Sequence, residues 1–301
     1  MPFRVTDAAS TARQTRHLAT ARQRLASAQE QVASGKRINR PSDDPIGADI
    51  VIRLRTTQAQ LAKFANNAAS VKESLQVSDD VLNQFQEVQD RTRALLTRAA
   101  TDPVVTNARE PIAIELDGIT SRLHQLLNTK SGDFYVFGGT RIDAPPFDNA
   151  GVINPTATTE ATVQVEPEGT LVATGVTAES FVSDSTGSIL EALKAASAAV
   201  RGTGDATADR TTILTTLDRL NDFATLSNAA RTKIGERMNH LDEVTERLTQ
   251  YNLSVEETAQ RIENVDLAEA AMKLTETNTA LEAILQASSR FGRRSLLDFL
   301  G

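Results

Sequence analysis

Hydrophobic residues near both ends of the chain recur at the spacing of coiled coils. In residues 11–33 the apolar positions are three or four residues apart, and in residues 267–288 the same spacing recurs. Each stripe is too narrow to hold an isolated helix, so we predict that the two terminal arms pair and then assemble with other subunits. The predicted interface residues are Leu18, Leu25, Val32, Leu267, Leu274, Leu281 and Leu285. Small or polar residues complete the two stripes, at Ala21, Ala28, Ala271, Asn278 and Ser288.

Wider apolar stripes between the arms predict a helical bundle. From Pro45 to about residue 100, one face carries Val71, Leu75, Leu82, Phe85, Leu96 and Ala99. Asp102-Pro103 is expected to end this helix. Further helices are predicted over about 112–130, 188–201 and 208–251.

The segment from Gly35 to Ile50 reads as a joint between two helices. Gly35 suits the end of the first helix, with Lys36 and Arg37 placed to meet its last carbonyls. An N-cap followed by proline in the first turn begins the second helix. The residues assigned to this joint are Gly35, Arg37, Asn39, Pro41, Ser42, Asp43, Asp44 and Pro45.

Residues 131–187 differ from the rest of the chain. They hold the aromatic run Phe134–Phe137, followed by Gly138-Gly139, and then Thr and Val alternate with proline and glycine. The predicted fold is therefore mainly α, a long helical bundle with paired N- and C-terminal coiled-coil arms and a small β-rich inserted domain. The predicted division is 1–34 with 252–301 as arms, 35–139 with 188–251 as bundle, and 140–187 as insert.

Charge strengthens the pairing hypothesis. From Arg13 to Arg40 there are seven basic residues and one acid, whereas Glu256 to Glu282 holds seven acids against two bases. The alternative is that both are solvated faces of unrelated helices. The net charge of −7 and the lack of aromatic residues among the N-terminal arginines argue against nucleic-acid binding.

No reaction class emerges from the polar residues. Cysteine is absent, which excludes disulfides and thiol chemistry, and His17, His124 and His240 have no metal-ligand spacing. Asp43 and Asp44 are better explained as helix caps than as metal ligands. We therefore expect no enzyme activity, cofactor or metal. No apolar run suggests a cleavable signal peptide or a membrane span, so a secreted protein would need another export route.

Several motifs resemble the bacterial flagellin superfamily. The joint Gly35-Lys36-Arg37-Ile38-Asn39 with 41–45 is similar to the N-terminal joint of flagellins, and Ala268 to Leu285 is similar to their C-terminal helix. The opening 1–6, the run Phe137–Thr140 before Pro145-Pro146-Phe147, and the ending 295–301 look most like the branch of hook-associated protein 3.

The resemblance implies a structural subunit that joins hook to filament. It implies terminal arms that are disordered before assembly, and secretion through the flagellar type III channel without a cleaved signal. The implied partners are copies of the chain, a neighbouring hook-associated protein and flagellin, with an export chaperone on the C-terminal arm, and neither nucleic acid nor membrane. The alternatives are flagellin itself, a filament subunit, and a cytosolic coiled-coil scaffold.

Overall fold

The computed structural model describes residues 3–101, 109–148, 151–154 and 159–300, and of these the side chains of 3–8, 10, 11 and 289–300 lie outside the description. The predicted helix end at Asp102-Pro103 falls in a gap, and the predicted ending motif lies among the residues without described side chains. Helices dominate the described residues. They are α1 (Phe3–Ser34), α2 (Pro45–Thr101), α3 (Arg109–Leu127), α4 (Glu179–Val182), α5 (Ile189–Arg201), α6 (Ala206–Glu263) and α7 (Leu267–Leu300).

The strands of the described residues form three small antiparallel pairs. They are β1 (Lys130–Ser131) with β2 (Phe134–Tyr135), β3 (Thr162–Gln164) with β4 (Leu171–Ala173), and β5 (Ser183–Asp184) with β6 (Gly187–Ser188). The predicted fold class, mainly α with a small β-rich insert, is confirmed. Two of the three pairs reach beyond 140–187, because β1 and β2 precede residue 140 and β6 ends at Ser188.

Contacts between Cα atoms divide the chain into two units. The first, which we name the terminal unit, contains Met1–Ala59 and Tyr251–Gly301, and the second, the central unit, contains Gln60–Gln250. The three-part division predicted from the sequence has different boundaries, at residues 34, 139, 187 and 251, and it stays a prediction.

Polar pairs run along α2 and α6 inside the central unit and show that the two helices are antiparallel. The pairs are Lys72–Asp242, Asp79–Arg231 and Arg93–Asn221. Helices α3 and α5 pack on each other, with the Ser197 hydroxyl donating to Asp117 at 2.6 Å. The interior is apolar, with Leu75, Leu82 and Leu116 fully buried. It is a helical bundle whose stability comes from packed faces.

Aromatic and ionic contacts hold the insert against this bundle. The ring of Phe181 on α4 meets Phe85 of α2 edge-on at 5.5 Å between centroids, and Phe137 at 5.1 Å. Arg237 of α6 donates to Glu160 at 2.6 Å and to the Gly175 carbonyl at 2.7 Å. The insert is therefore fastened through its core and through its edge.

Helix α6 is longer than predicted. Its buried stripe continues past residue 251 through Val255 and Ala259, so nothing ends the helix until Glu263. The break follows at 264–266, where the Asp266 carboxylate accepts the Ala268 N–H at 2.8 Å and caps α7. The expected end near residue 251 is wrong because the apolar stripe of the helix continues for about three more turns.

Candidate assembly site

The terminal arms contact each other in the terminal unit, where α1 packs on α7. On α1 the contact stripe has alanine at its centre, with Ala21 8% and Ala28 1% exposed. Leu18, Leu25 and Val32 are half-buried beside them. The stripe on α7 consists of Ala270, Leu274, Thr277, Leu281, Ile284 and Ser288. Both stripes keep the three- and four-residue spacing of paired helices.

Two predicted interface residues lie elsewhere. Leu267 is 59% and Leu285 43% exposed, and Asn278 is exposed as well. Ala270, Thr277 and Ile284 of the buried stripe fit the same heptad spacing. They precede by one residue the predicted positions Ala271, Asn278 and Leu285. One residue turns a helix by 100°, so the predicted stripe includes positions on a neighbouring face. The expectation that Leu267 and Leu285 pack on α1 is wrong within one subunit, and their part in contacts between copies stays a prediction.

The joint begins with a helix end that requires glycine. Gly35 has φ +69°, and its N–H donates to the Gln31 carbonyl at 3.0 Å. The next helix begins at Asp44, whose carboxylate accepts the Gly47 N–H at 2.9 Å and whose carbonyl accepts the Ala48 N–H at 2.9 Å. Pro45 follows as the first helical residue, where its missing N–H costs nothing.

Asp43 shapes the loop between the two helices. Its carboxylate accepts the backbone N–H groups of Asn39 at 3.1 Å and Arg40 at 2.9 Å. The Asn39 side chain in turn donates to the Lys36 carbonyl at 3.1 Å, while Pro41 and Ser42 are exposed. Asp44 therefore has the helix-capping role expected of it. Asp43 was expected to be a cap as well, but it binds backbone N–H groups that precede it in the loop.

The joint also binds the connection between α6 and α7. The Arg37 N–H donates to the Glu263 carbonyl at 2.7 Å, and the Val265 N–H donates to the Gly35 carbonyl at 3.0 Å. The Arg37 guanidinium reaches the Ile262 carbonyl at 2.9 Å and Asp44 at 3.0 Å. Lys36 and Arg37 were expected to meet the last carbonyls of α1. That expectation is wrong, because Arg37 meets the last turn of α6 instead.

Glu263 is the ionic centre of this joint. Its side chain is 15% exposed and binds Lys36 Nζ at 2.8 Å and Arg55 Nη2 at 2.7 Å. Burial raises the pKa of the Glu263 carboxyl, but the hydrogen bonds from Lys36 and Arg55 outweigh it, so the pKa lies below its ordinary value. The backbone N–H of Gly47, and then Arg37, lower the pKa of Asp44. Both carboxylates are ionised at neutral pH.

The sequence reading missed Glu263, Arg55 and Asp266. Asp266 had a usable signal, because aspartate three residues before Glu269 and ahead of an apolar stripe is typical of a helix start. No local pattern identified Glu263 or Arg55. Each lies among polar residues of a helix and binds a partner more than 200 residues away in the sequence.

The opposite charges of the two arms do not form ion pairs with each other in the described residues. Among the residues described, no ion pair joins α1 to α7; the ion pairs of the terminal unit lie in or near the joint. Arg13 and Arg16 donate to carbonyls of their own helix, those of Ala9 at 3.3 Å and Ala12 at 3.2 Å. The arginines of α1 that follow residue 12 and the described glutamates of α7 are exposed.

The histidines and carboxylates form no ligand cluster in the described part of the chain. His17 is exposed on α1, and His124 Nε2 lies 2.7 Å from the Asp148 carbonyl in the central unit. No helix in the described ranges has the length and apolar character of a membrane span.

The chain matches two models of one protein family. Residues 6–141 match the bacterial flagellin N-terminal helical region, and residues 217–300 match the bacterial flagellin C-terminal helical region. The two matches cover α1 with α2 and α3, and most of α6 with α7.

Individual relatives fall in the same family. Flagellar hook-associated protein 3 of Salmonella typhimurium is 31% identical over 40% of this chain and 38% of its own length. A flagellin of Clostridium tyrobutyricum is 29% identical over 34% of this chain and 27% of its own length. The chain thus aligns with less than half of each of these relatives.

The fold is also that of solved flagellar structures. The crystal structure of flagellar hook associated protein-3 from Legionella pneumophila superposes with a TM-score of 0.62 at 12% identity, covering 70% of this chain and 98% of that one. At this identity the likeness concerns the fold alone. With both end regions matched and the fold shared, the chain belongs to the bacterial flagellin family.

Proposed function

We propose that this protein is a structural subunit of the bacterial flagellum that joins hook to filament. The observation that carries the proposal is the pairing of α1 with α7, which belong to the two regions that match the flagellin family. The similarity to hook-associated protein 3 supports the junction role over other members of the family. The function is mechanical, with no reaction to catalyse and no cofactor.

Assembly is coupled to folding of the arms. Each arm alone has a narrow stripe, with alanine at its centre on α1, so ordering the arm costs more conformational entropy than its own contacts return. Segments 1–34 and 252–301 act as assembly arms, 35–139 with 188–251 as the bundle that holds them, and 140–187 as the insert. Leu267 and Leu285, exposed in one subunit, become contacts in the assembly.

The partners follow from the junction role. They are copies of this chain, a neighbouring hook-associated protein on one side and flagellin on the other. An export chaperone binds the C-terminal arm before secretion and keeps its apolar residues covered. The protein is secreted and resides in the extracellular flagellum, exported through the flagellar channel rather than by a cleaved signal peptide.

Cells that lack the protein test the junction role. We expect them to build hooks that carry no attached filament, while flagellin appears in the medium; electron microscopy and an immunoblot of the medium measure both. Complementation with chains lacking 1–34 or 252–301 should fail, and these variants should keep a protease-resistant central unit. Filaments of normal length on the deletion strain would overturn the proposal.

A second candidate is flagellin, because flagellins also appear among the relatives. Immunogold labelling separates the two functions. A junction protein labels one position at the hook end, whereas a filament subunit labels the whole length. Label along the filament, or filaments formed by this protein alone, would favour flagellin.

A further inference from the structure

A groove in the central unit lies between α2, β2 and β3. It has a volume of about 750 Å³, the size of a ligand-binding cleft in other proteins. Asn67 and Val71 of α2 form one wall, and Phe134 of β2, which is 54% exposed, forms another. Residues 160–163, which include the start of β3, and 174–176, which follow β4, complete the lining. All of these residues belong to the central unit.

One wall of the groove is the free edge of β3. The Thr174 N–H donates to the Ala161 carbonyl at 2.8 Å, and the Val165 N–H donates to the Thr170 carbonyl at 3.1 Å, both on the β4 side. Because the direction of hydrogen bonding alternates along an antiparallel pair, the N–H and C=O groups of Thr162 point to the opposite side. Outside the β3–β4 pair, no described residue forms a hydrogen bond with these two groups.

This free edge faces α2 and the groove. The Gln164 carbonyl lies on the same edge, two residues along β3, and the Asn67 side chain of α2 donates to it at 2.9 Å. Thr162 itself lines the groove. A chain segment laid beside Thr162 would supply a carbonyl and an N–H to this edge, as a peptide does when it adds a strand to a sheet. The groove therefore suits an extended peptide backbone.

Charge indicates which side chains the peptide carries. The lining of the groove includes three carboxylates, those of Glu73, Asp133 and Glu160, and no lysine or arginine. Arg237 pairs with Glu160 at 2.6 Å. Glu73 and Asp133 are exposed, and neither forms an ion pair with a described residue. A lysine or arginine of the peptide would meet them, whereas an acidic peptide would be repelled.

The same charge argues against a second copy of this chain as the occupant. Strand β4 carries an exposed apolar side chain, Leu171 at 62%, that an interstrand contact between copies would use. It follows the turn that contains Glu166 and Glu168, so a second copy entering by this strand would bring carboxylates to an acidic groove. The chemistry that fits is that of a basic segment from a different protein.

We propose that the groove binds an extended, basic segment of another protein, which pairs with β3 as an added strand. Its backbone bonds to Thr162, and its apolar side chains cover Phe134. Its lysine or arginine side chains meet Glu73 and Asp133. Side chains alternate along a strand, so a segment in which valine alternates with lysine presents one kind to each face. The inference goes beyond the proposed function, because it gives the central unit a partner of its own.

Peptide binding to the full chain tests this site. The probe is a fluorescein-labelled peptide, Thr-Val-Lys-Val-Lys-Val-Thr, whose binding is followed by fluorescence anisotropy and should saturate. A matched peptide with glutamate in place of both lysines should bind roughly tenfold more weakly or worse. Two further peptides carry N-methyl groups either on the valines or on the lysines. Because an added strand pairs through alternate residues, one of these two should bind roughly tenfold more weakly than the other.

Variants of the protein locate the site. Glu73→Lys/Asp133→Lys should weaken binding of the basic peptide roughly tenfold and strengthen binding of the acidic one. The control, Asp80→Lys/Glu87→Lys, makes the same change in net charge at exposed positions of α2 that do not line the groove, and it should bind like the wild type. Circular dichroism checks that both variants are folded. Hydrogen exchange over residues 160–164 should slow roughly tenfold when the basic peptide is bound to the wild type.

Three results would overturn the proposal. The first is the absence of saturable binding of the basic peptide. The second is equal binding of the two N-methylated peptides, which would exclude strand addition. The third is an equal effect of the two charge-reversal variants, which would place the peptide outside the groove. None of these results bears on the junction role, which the deletion strain tests separately.

Discussion

Removing the Glu263 side chain should loosen the joint without unfolding the central unit. In Glu263→Ala, Lys36 and Arg55 lose their shared carboxylate, whose side chain is only 15% exposed. Both cations are themselves solvated, at 42% and 56% exposure, so each interaction is worth about 0.5–1 kcal/mol rather than the value of a fully buried pair. The expected loss is about 1–2 kcal/mol for the two together.

Native-state hydrogen exchange measures this loss at the joint. The N–H groups of Arg37 and Val265 bond across the two connections, to the carbonyls of Glu263 and Gly35, and neither bond uses the Glu263 side chain. If the free energy of local opening falls by about 1–2 kcal/mol, these amides exchange roughly 5–30-fold faster. Amides of α3 and α5 in the central unit should exchange at the wild-type rate.

A matched variant tests whether burial matters here. Asp49 pairs with Arg53 four residues on along α2, and the two side chains are 55% and 75% exposed. Asp49→Ala removes a carboxylate from the same unit, yet it should change exchange at Arg37 by less than about twofold. Equal effects of the two variants, or an effect of Glu263→Ala spread evenly over the chain, would refute the role of Glu263 as ionic centre.

Three further predictions concern stability, all measured on the full chain. The pKa of Asp184 is about 2, against 3.8 ordinarily, because hydrogen bonds from arginine and threonine outweigh burial; its contribution of about 2 kcal/mol is therefore present above pH 4 and lost as pH falls towards 2. The free energies of unfolding of Asp184→Asn and the wild type, measured in urea, should thus converge as the pH falls from 4 to 2. Phe181→Ala should cost about 3–5 kcal/mol in urea, whereas Phe134→Ala, 54% exposed, should cost under about 0.5. Gly35→Ala and Gly118→Ala both place a methyl group in open space, but only Gly35 has positive φ, so the first should destabilise by about 1 kcal/mol and the second should stabilise α3 by thermal unfolding.

The sequence predicted those features that depend on residues close together in the chain. Gly35 at positive φ, Asp44 as a cap and Pro45 in the first turn each depend on neighbours within a few residues, so their residue types are informative. The confirmed fold class depends on apolar periodicity, which is also local. The aromatic contact of Phe181 with Phe85 joins residues 96 apart, and no local pattern announces it.

The arm contacts show where periodicity stops being informative. Heptad spacing identified both arms, yet two stripes one residue apart on α7 share that spacing. Both stripes include Leu274 and Leu281, so hydrophobicity does not separate them. The partner stripe on α1 is built on Ala21 and Ala28, which let another helix approach closely. Choosing between such stripes requires the shape of the partner. The ion pairs of Glu263 could likewise be found only from the fold, because their partners are distant in the sequence.

The exposed side chains of α7 bear on the proposed assembly of the arms with other subunits. Of the fourteen large hydrophobic side chains left exposed in the described residues, eight belong to the terminal unit, which is about a third of the chain. Leu267, Met272 and Leu285 are among them. Burying such side chains stabilises a structure by about 25 cal/mol per Å² of apolar area. The contact between α1 and α7 within one subunit does not bury them. The joint, by contrast, has its caps and its ion pairs satisfied within one subunit. A monomer with an ordered joint and under-packed arms fits the assembly-coupled folding that we propose. The joint fixes where the arms begin, and a second copy would supply the surface that completes them.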